Sequence, residues 1–248
     1  MVCPTTYTGD GFLERILGQI DCQAQVLGSY GWLALSEPGS LASALTTGLL
    51  TLFIALFGLR LLFGPTPGTR DVVFDVLKIG VVLTLALSWP AFRTLIYDVV
   101  FLAPADIAGR IAATASGNFP DRLQAIDTAI VQLSEFGSGR QTGAFIDGDA
   151  IGASFQGIAM QDERALGWAR VFWLTGVIGS VAFFRLAAGL LLALAPLAAG
   201  LLLFDATRGI FAGWMRGLVL ALVGSVGASV LLAVEMAVLT PWLEDALR

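Results

Sequence analysis

Residues 41–63 read LASALTTGLLTLFIALFGLRLLF, and this stretch decides the class of the protein. It is apolar apart from small hydroxyls and Arg60. As a helix rising about 1.5 Å per residue, it is long enough to cross the hydrocarbon core of a bilayer. The string Gly64-Pro65-Thr66-Pro67-Gly68 then stops it, because proline cannot continue a helix and glycine favours turns.

The composition extends that reading to the whole chain. Of its 248 residues, 56% are hydrophobic and 13% charged, and the mean hydropathy is +0.82. The charged share is about half that of a soluble domain. A soluble globule of this size has too much surface to hide so much apolar side chain, so lipid is the natural solvent for the excess. With 14 Lys+Arg against 19 Asp+Glu the net charge is −5, and no basic stripe is visible, which argues against sequence-specific nucleic-acid binding. Histidine is absent, which removes the commonest general base and metal ligand. No CxxC, HExxH or paired metal-ligand spacing occurs. The expectation is a protein that is not an enzyme, with no catalytic, cofactor or metal site.

Four regions follow along the chain. Residues 1–40 lack a positive start followed by an apolar run, so no cleavable signal is read there. Within them Leu13, Ile16, Leu17, Ile20, Ala24 and Leu27 share one helical face. That face suits a helix lying at the membrane surface, or one packed on the membrane bundle. Residues 41–103 hold two spans, the second within 72–103 and kinked at Pro90, with Arg93 and Asp98 facing protein, water or the interface. Residues 104–167 are rich in acidic residues and glycines, and read as an extramembrane loop domain. Pro104 starts one helix there. Pro120 starts another, with Leu123, Ile126, Ile130 and Leu133 on one face and Gly137 as its stop. The following GSGRQTGAFIDGDAIGASFQG reads as a loop; its glycines match neither nucleotide-binding fingerprint. Residues 168–248 hold the C-terminal spans. From 168 to 204 the chain forms one long helix or two short crossings, broken at Pro196. The last span covers about 217–239, with Trp242 as an interfacial anchor. The expected fold is an all-α integral membrane protein of four or five transmembrane helices with a mostly helical central loop.

Orientation follows from the short-loop cations. Arg60, Arg70 and Lys78 flank the 64–75 connection, whereas residues 1–40 contain only Arg15. The connection is therefore expected in the cytoplasm, with the N-terminus and residues 104–167 outside. Cys3 and Cys22 would then lie in an oxidising compartment, where a disulfide is allowed; two free thiols fit the sequence equally well. In the last span Gly217, Ala221, Ser225, Ser229, Ala233 and Ala237 recur every four residues, widened by Gly224 and Ala228. Such a stripe lets helices approach closely, either within the chain or between protomers. Glu235, in the same span, must find a partner, reach water or stay protonated, and Arg185 is the candidate partner.

Residues 195–218, APLAAGLLLFDATRGIFAGWMRGL, resemble the TrbL family and its relative, the sixth VirB protein. The likeness rests on a helix break at Pro196, an apolar run ending in Phe204, then Thr207-Arg208, Phe211 and Trp214, followed by a long apolar helix. The resemblance implies a polytopic inner-membrane component of a bacterial type IV secretion system. It implies a homo-oligomeric ring, with five-fold symmetry, beneath the stalk of pilus subunits. The ring would contact other inner-membrane subunits and, transiently, translocated DNA or protein, and it would support pilus assembly, while partner proteins hydrolyse ATP. Pro196, Phe204, Thr207, Arg208, Phe211 and Trp214, with Arg185 and Glu235, would form a structural or coupling cluster. The competing reading is a small-solute transporter or ion channel.

Overall fold

The computed structural model describes residues 3, 11–63, 68–112, 119–137 and 163–246. All the elements among them are helices. In chain order these are α1 (Phe12–Ser36), α2 (Leu41–Phe63), α3 (Thr69–Leu87), α4 (Trp89–Phe92), a π-helical turn (Arg93–Tyr97), α5 (Asp98–Ala112), α6 (Phe119–Gly137), α7 (Glu163–Ala193), α8 (Ala195–Leu201) and α9 (Arg208–Ala246). Three stretches are long and apolar enough to cross a membrane: Leu41–Phe63, Gly167–Ala193 and Arg208–Asp245. A fourth crossing exists if Val72–Leu87 and Trp89–Pro104, which meet at 96°, form one broken span. The protein is an all-α, multi-pass membrane protein.

Several boundaries differ from those expected. The second hydrophobic region is not one helix kinked at Pro90. It breaks at Ser88, whose backbone is extended (φ −113°, ψ 90°), and Pro90 falls in the first turn of α4, where its missing N–H removes no helical bond. Pro104 does not start a helix but sits inside α5, where it is buried. The 168–204 region resolves as one long helix, α7, followed by the seven-residue α8, which is too short to cross. The last helix is longer than the 217–239 expected, because Arg208 to Arg216 add more than two turns before it. Residues 138–162, which include most of the glycine-rich loop, lie outside the described residues.

The chain divides into two compact units. The first comprises Met1–Cys3, Ile20–Ile107 and Phe183–Val226. Its core gathers Trp32, Val82, Phe92, Phe101, Leu192, Leu203 and Trp214 with many small residues. The N-terminus is held here by a disulfide between Cys3 and Cys22, with Cα atoms 5.7 Å apart. The second unit comprises Pro4–Gln19, Ala108–Ala182 and Gly227–Arg248. Its core is Leu13, Leu123, Ile126, Leu133, Val177, Leu232, Met236 and Leu243. Of the two placements open for the amphipathic N-terminal helix, α1 takes the packed one, burying Leu13 in the second core and Ala24 and Trp32 in the first.

The apolar face of α6 carries one exception. Asp127 lies four residues after Leu123, so it shares that face, and it is only 3% exposed. A buried carboxylate must be paired. Arg170 of α7 meets it through two parallel bonds, Nε to Oδ1 at 2.7 Å and Nη2 to Oδ2 at 2.9 Å. The planar fork of arginine suits that geometry and the point charge of lysine does not. Nearby, the amide of Leu13, unpaired within its own helix, donates to Gln124 Oε1 at 3.2 Å. Replacing Asp127 by Ala leaves the guanidinium without its acceptor. We expect a loss of about 2–3 kcal/mol, below the range for a fully buried pair because Arg170 still reaches water. Arg170→Lys should recover only a small part of the parent's stability. Thermal or denaturant unfolding of the detergent-solubilised chain reads both effects, and a parent-like Asp127→Ala variant would contradict the assignment.

Candidate functional site

Two helices of the first unit end at breaks of the same design. The strings are Leu85-Ala86-Leu87-Ser88-Trp89-Pro90 and Leu191-Leu192-Ala193-Leu194-Ala195-Pro196. In each the helix ends at the third residue, the fourth is the break, and a proline two residues after the break lies in the first turn of the next helical piece. The last carbonyls of a helix lack intrahelical donors, and in lipid no water replaces them. Each break meets that need with an indole. Trp32 Nε1 donates to the Leu85 carbonyl at 3.0 Å. Trp214 Nε1 donates to the Leu191 carbonyl at 2.8 Å. In both cases the acceptor lies three residues before the break. At the second break the Leu194 amide also reaches the Leu190 carbonyl at 3.1 Å.

The segment after the second break explains the composition of APLAAG. Ala195, Pro196, Ala198, Ala199 and Gly200 are all buried, and α8 packs closely on α2 and α3. Small side chains permit that approach. The buried Thr46 hydroxyl of α2 donates to the Pro196 carbonyl at 3.3 Å. At the far end of α8 the Thr207 hydroxyl donates to the Leu201 carbonyl at 2.7 Å, closing the turn before α9. Phe204 meets Phe53 edge-on with centroids 6.1 Å apart, and Phe211 lies 5.5 Å from Trp214. Pro196, Phe204, Thr207, Phe211 and Trp214 therefore all serve one turn between two helices. Arg208 is exposed at the start of α9.

A second constellation has no counterpart among the residues singled out from the sequence, except Arg185. Arg185 of α7 is 14% exposed; its Nη1 donates to the Phe101 carbonyl at 2.7 Å and pairs with Asp21 Oδ1 at 3.3 Å. Gln25 Nε2 donates to Asp21 Oδ2 at 2.8 Å. The Tyr97 and Ser29 hydroxyls both donate to the Gln25 carbonyl, at 3.0 and 2.8 Å. The cluster thus joins α1, the π-helical turn and α7. Such turns recur at functional sites because one extra residue re-aims the side chains around it. Gly189 makes the meeting of α1 and α7 possible: a Cβ there would lie 2.5 Å from the Ala24 carbonyl oxygen. The signal available in the sequence was the period of Asp21, Gln25 and Gly28 along α1, which sets a polar pair and a glycine on one face.

One expectation changes as a result. Arg185 does not partner Glu235; it is taken by Asp21 and the Phe101 carbonyl, and Glu235 is exposed on α9. Several positions of the small-residue stripe of α9 meet side chains of the chain itself. Gly217 faces the Leu191 side chain, a Cβ on Gly224 would collide with the Phe184 ring, and Ala221 is buried in the first core. Ala228 is buried, and Ala233 packs on the second core. Ser225 and Ser229 are half-buried between them. Ala237, the last member of the stripe, is exposed. Among the described residues no group of three metal-ligating side chains occurs.

The indoles give a direct test. Trp214→Phe keeps the ring's bulk but leaves the Leu191 carbonyl without a donor in an apolar setting. We expect a loss of about 1–3 kcal/mol, and a similar loss for Trp32→Phe at Leu85. Unfolding in detergent, compared with Phe211→Leu as a packing control, would show it. Parent-like stability in both tryptophan variants would mean that only ring packing matters.

No curated protein and no solved structure matches the chain. The family model of the TrbL/VirB6 plasmid conjugal transfer protein matches residues 50–247. That range takes in α3 with its break, the second break and the whole Phe204–Trp214 turn. Among the described residues it also takes in every stretch long and apolar enough to span, apart from the first turns of α2. Members are structural components of conjugal transfer machinery and work alongside its other subunits. The chain belongs to the TrbL/VirB6 plasmid conjugal transfer protein family.

Proposed function

We propose that this chain is an inner-membrane subunit of a bacterial type IV secretion system that supports pilus biogenesis and the passage of DNA or protein substrates. Its N-terminus and the 104–167 region face the periplasm, and it works as a ring of copies beneath the stalk. The observation that carries this reading is the family match over residues 50–247, which includes the proline break and the turn built on Thr207 and Trp214. Two further features support it. Only 6% of the most apolar stretch of α2 is buried within the chain, leaving a long face for lipid or a neighbouring subunit. The Cys3–Cys22 disulfide fits an oxidising compartment on the N-terminal side.

A solute transporter is favoured by one observation, the pair of broken helices, which is a common design at transporter binding sites. Those sites use freed backbone carbonyls as ligands. Here the Leu85 and Leu191 carbonyls are occupied by indoles, which weighs toward a structural role for the breaks.

Deleting the gene while leaving the secretion ATPases and pilin intact should abolish pili and transfer together; normal pili and normal transfer would refute the proposal. Trp214→Ala then separates roles. A folding role lowers protein level, whereas a coupling role leaves the level normal and reduces transfer. Orientation has its own test. In a background lacking Cys3 and Cys22, single cysteines at Ser138 and Thr66 are exposed to an impermeant maleimide in cells with a permeabilised outer membrane. Ser138→Cys should label and Thr66→Cys should not; the reverse pattern inverts the topology.

A further inference from the structure

A cavity of about 190 Å³ lies where the end of α2, the start of α3 and the turn between α8 and α9 come together. One wall is apolar, built from Phe53, Leu56, Phe57 and Phe204. The other carries four charges: Arg60, Asp75, Lys78 and Asp205. Arg60 stands three residues before the end of the spanning helix Leu41–Phe63, and Asp75 and Lys78 stand in the second and third turns of α3. The charged wall is thus at the level of the helix ends, where lipid headgroups lie. Phe57 and Phe53 are three and seven residues back from Arg60 on α2, so they lie deeper on nearly the same face, by about 4 and 10 Å.

The charges balance, two positive against two negative, and they are loosely paired. Lys78 Nζ is 3.4 Å from Asp75 Oδ1 and 3.6 Å from Asp205 Oδ1, longer than the roughly 2.7–2.9 Å of a close charge-assisted bond. Among the described residues Arg60 has no carboxylate within ion-pair distance, and the Asp205 side chain is 84% exposed. A site of this kind has unused donors and unused acceptors within one small volume. Liquid water takes about 30 Å³ per molecule, so the space is on the scale of a phosphate with a short amine. An anionic headgroup would satisfy the cations but face two carboxylates. A quaternary ammonium would neutralise the carboxylates without donating a hydrogen bond to either.

We propose that this cavity binds the headgroup of a zwitterionic aminophospholipid of the phosphatidylethanolamine type. Arg60 and Lys78 hold the phosphate, Asp75 and Asp205 accept from the primary ammonium, and an acyl chain lies along Leu56, Phe57 and Phe53. The site needs only a membrane, so it stands or falls independently of the secretion reading.

The test uses the full chain in detergent micelles, titrated with phosphatidylethanolamine, phosphatidylcholine and phosphatidylglycerol of identical acyl chains. Bound lipid is read by native mass spectrometry and stabilisation by the shift in melting temperature. The ethanolamine lipid should bind about tenfold more tightly than either of the others. Asp205→Asn should narrow the preference for the ethanolamine over the choline lipid to about threefold, because one of the two carboxylates that accept from the amine is lost. Arg60→Gln should weaken both together. Both side chains reach solvent, and lipid-free melting of each variant confirms that it folds. Equal binding of all three lipids to the parent would overturn the proposal, since it would mean annular contact only. Preference for the glycerol lipid would overturn it too, as would an Asp205→Asn variant that keeps the parent's full preference for the ethanolamine lipid.

Discussion

A backbone carbonyl in hydrocarbon has no water to turn to, and this constraint governs how the first unit is built. Its two broken helices expose carbonyls at Leu85 and Leu191, and a tryptophan from a distant helix meets each one. The remedy has structural consequences. Trp32 must reach Leu85, so α1 is held against α3; Trp214 must reach Leu191, so the start of α9 is held against the end of α7. The short α8 between them is filled with small buried residues, which lets α2 and α3 close on it. The breaks, the turn at Thr207 and the aromatic groups around them therefore form one mutually dependent arrangement.

The charged groups obey the same rule through different partners. Arg185 and Asp21 meet inside the first unit as an ion pair, with the Phe101 carbonyl accepting from Arg185 and the Gln25 side chain donating to the other oxygen of Asp21. Asp127 and Arg170 meet through a two-bond fork in the second. Both pairs link elements far apart in sequence, so each ties a segment outside the main spans to α7. A buried pair is weak evidence of net stabilisation, but removing one partner is costly, so these contacts fix where α1 and α6 sit within their units more than how tightly they bind.

For a component of conjugal transfer machinery, a bundle held in this way is rigid where polar groups are buried and plain where it meets its surroundings. The face of α2 and much of α9 present leucine, valine and isoleucine outward. Lipid or neighbouring subunits can cover such faces without a specific polar match. The charged cavity at the end of α2 is the exception, because its balanced charges call for a ligand with both signs.

Composition and period were enough to establish the membrane class, the all-helical fold, the bounds of α2 and the apolar middles of α7 and α9, though not the ends of those two helices. Those features depend on local apolar runs, which any lipid-exposed helix must have. The turn from Phe204 to Trp214 was also singled out, through its resemblance to the TrbL pattern of Pro196, Phe204, Thr207-Arg208, Phe211 and Trp214. What the sequence could not decide was who meets whom. Arg185 was equally free to pair with Glu235 or Asp21, and only the close crossing at Gly189 brings Asp21 within reach. The α9 stripe suited contact within or between chains, and the ring of Phe184 takes the space at Gly224. Asp127, Gln25 and Tyr97 read as ordinary polar residues until helices distant in sequence closed around them. Apolar burial is local and periodic, so it is written along the chain; polar satisfaction inside a membrane depends on partners far apart in sequence, so only the tertiary structure could settle it.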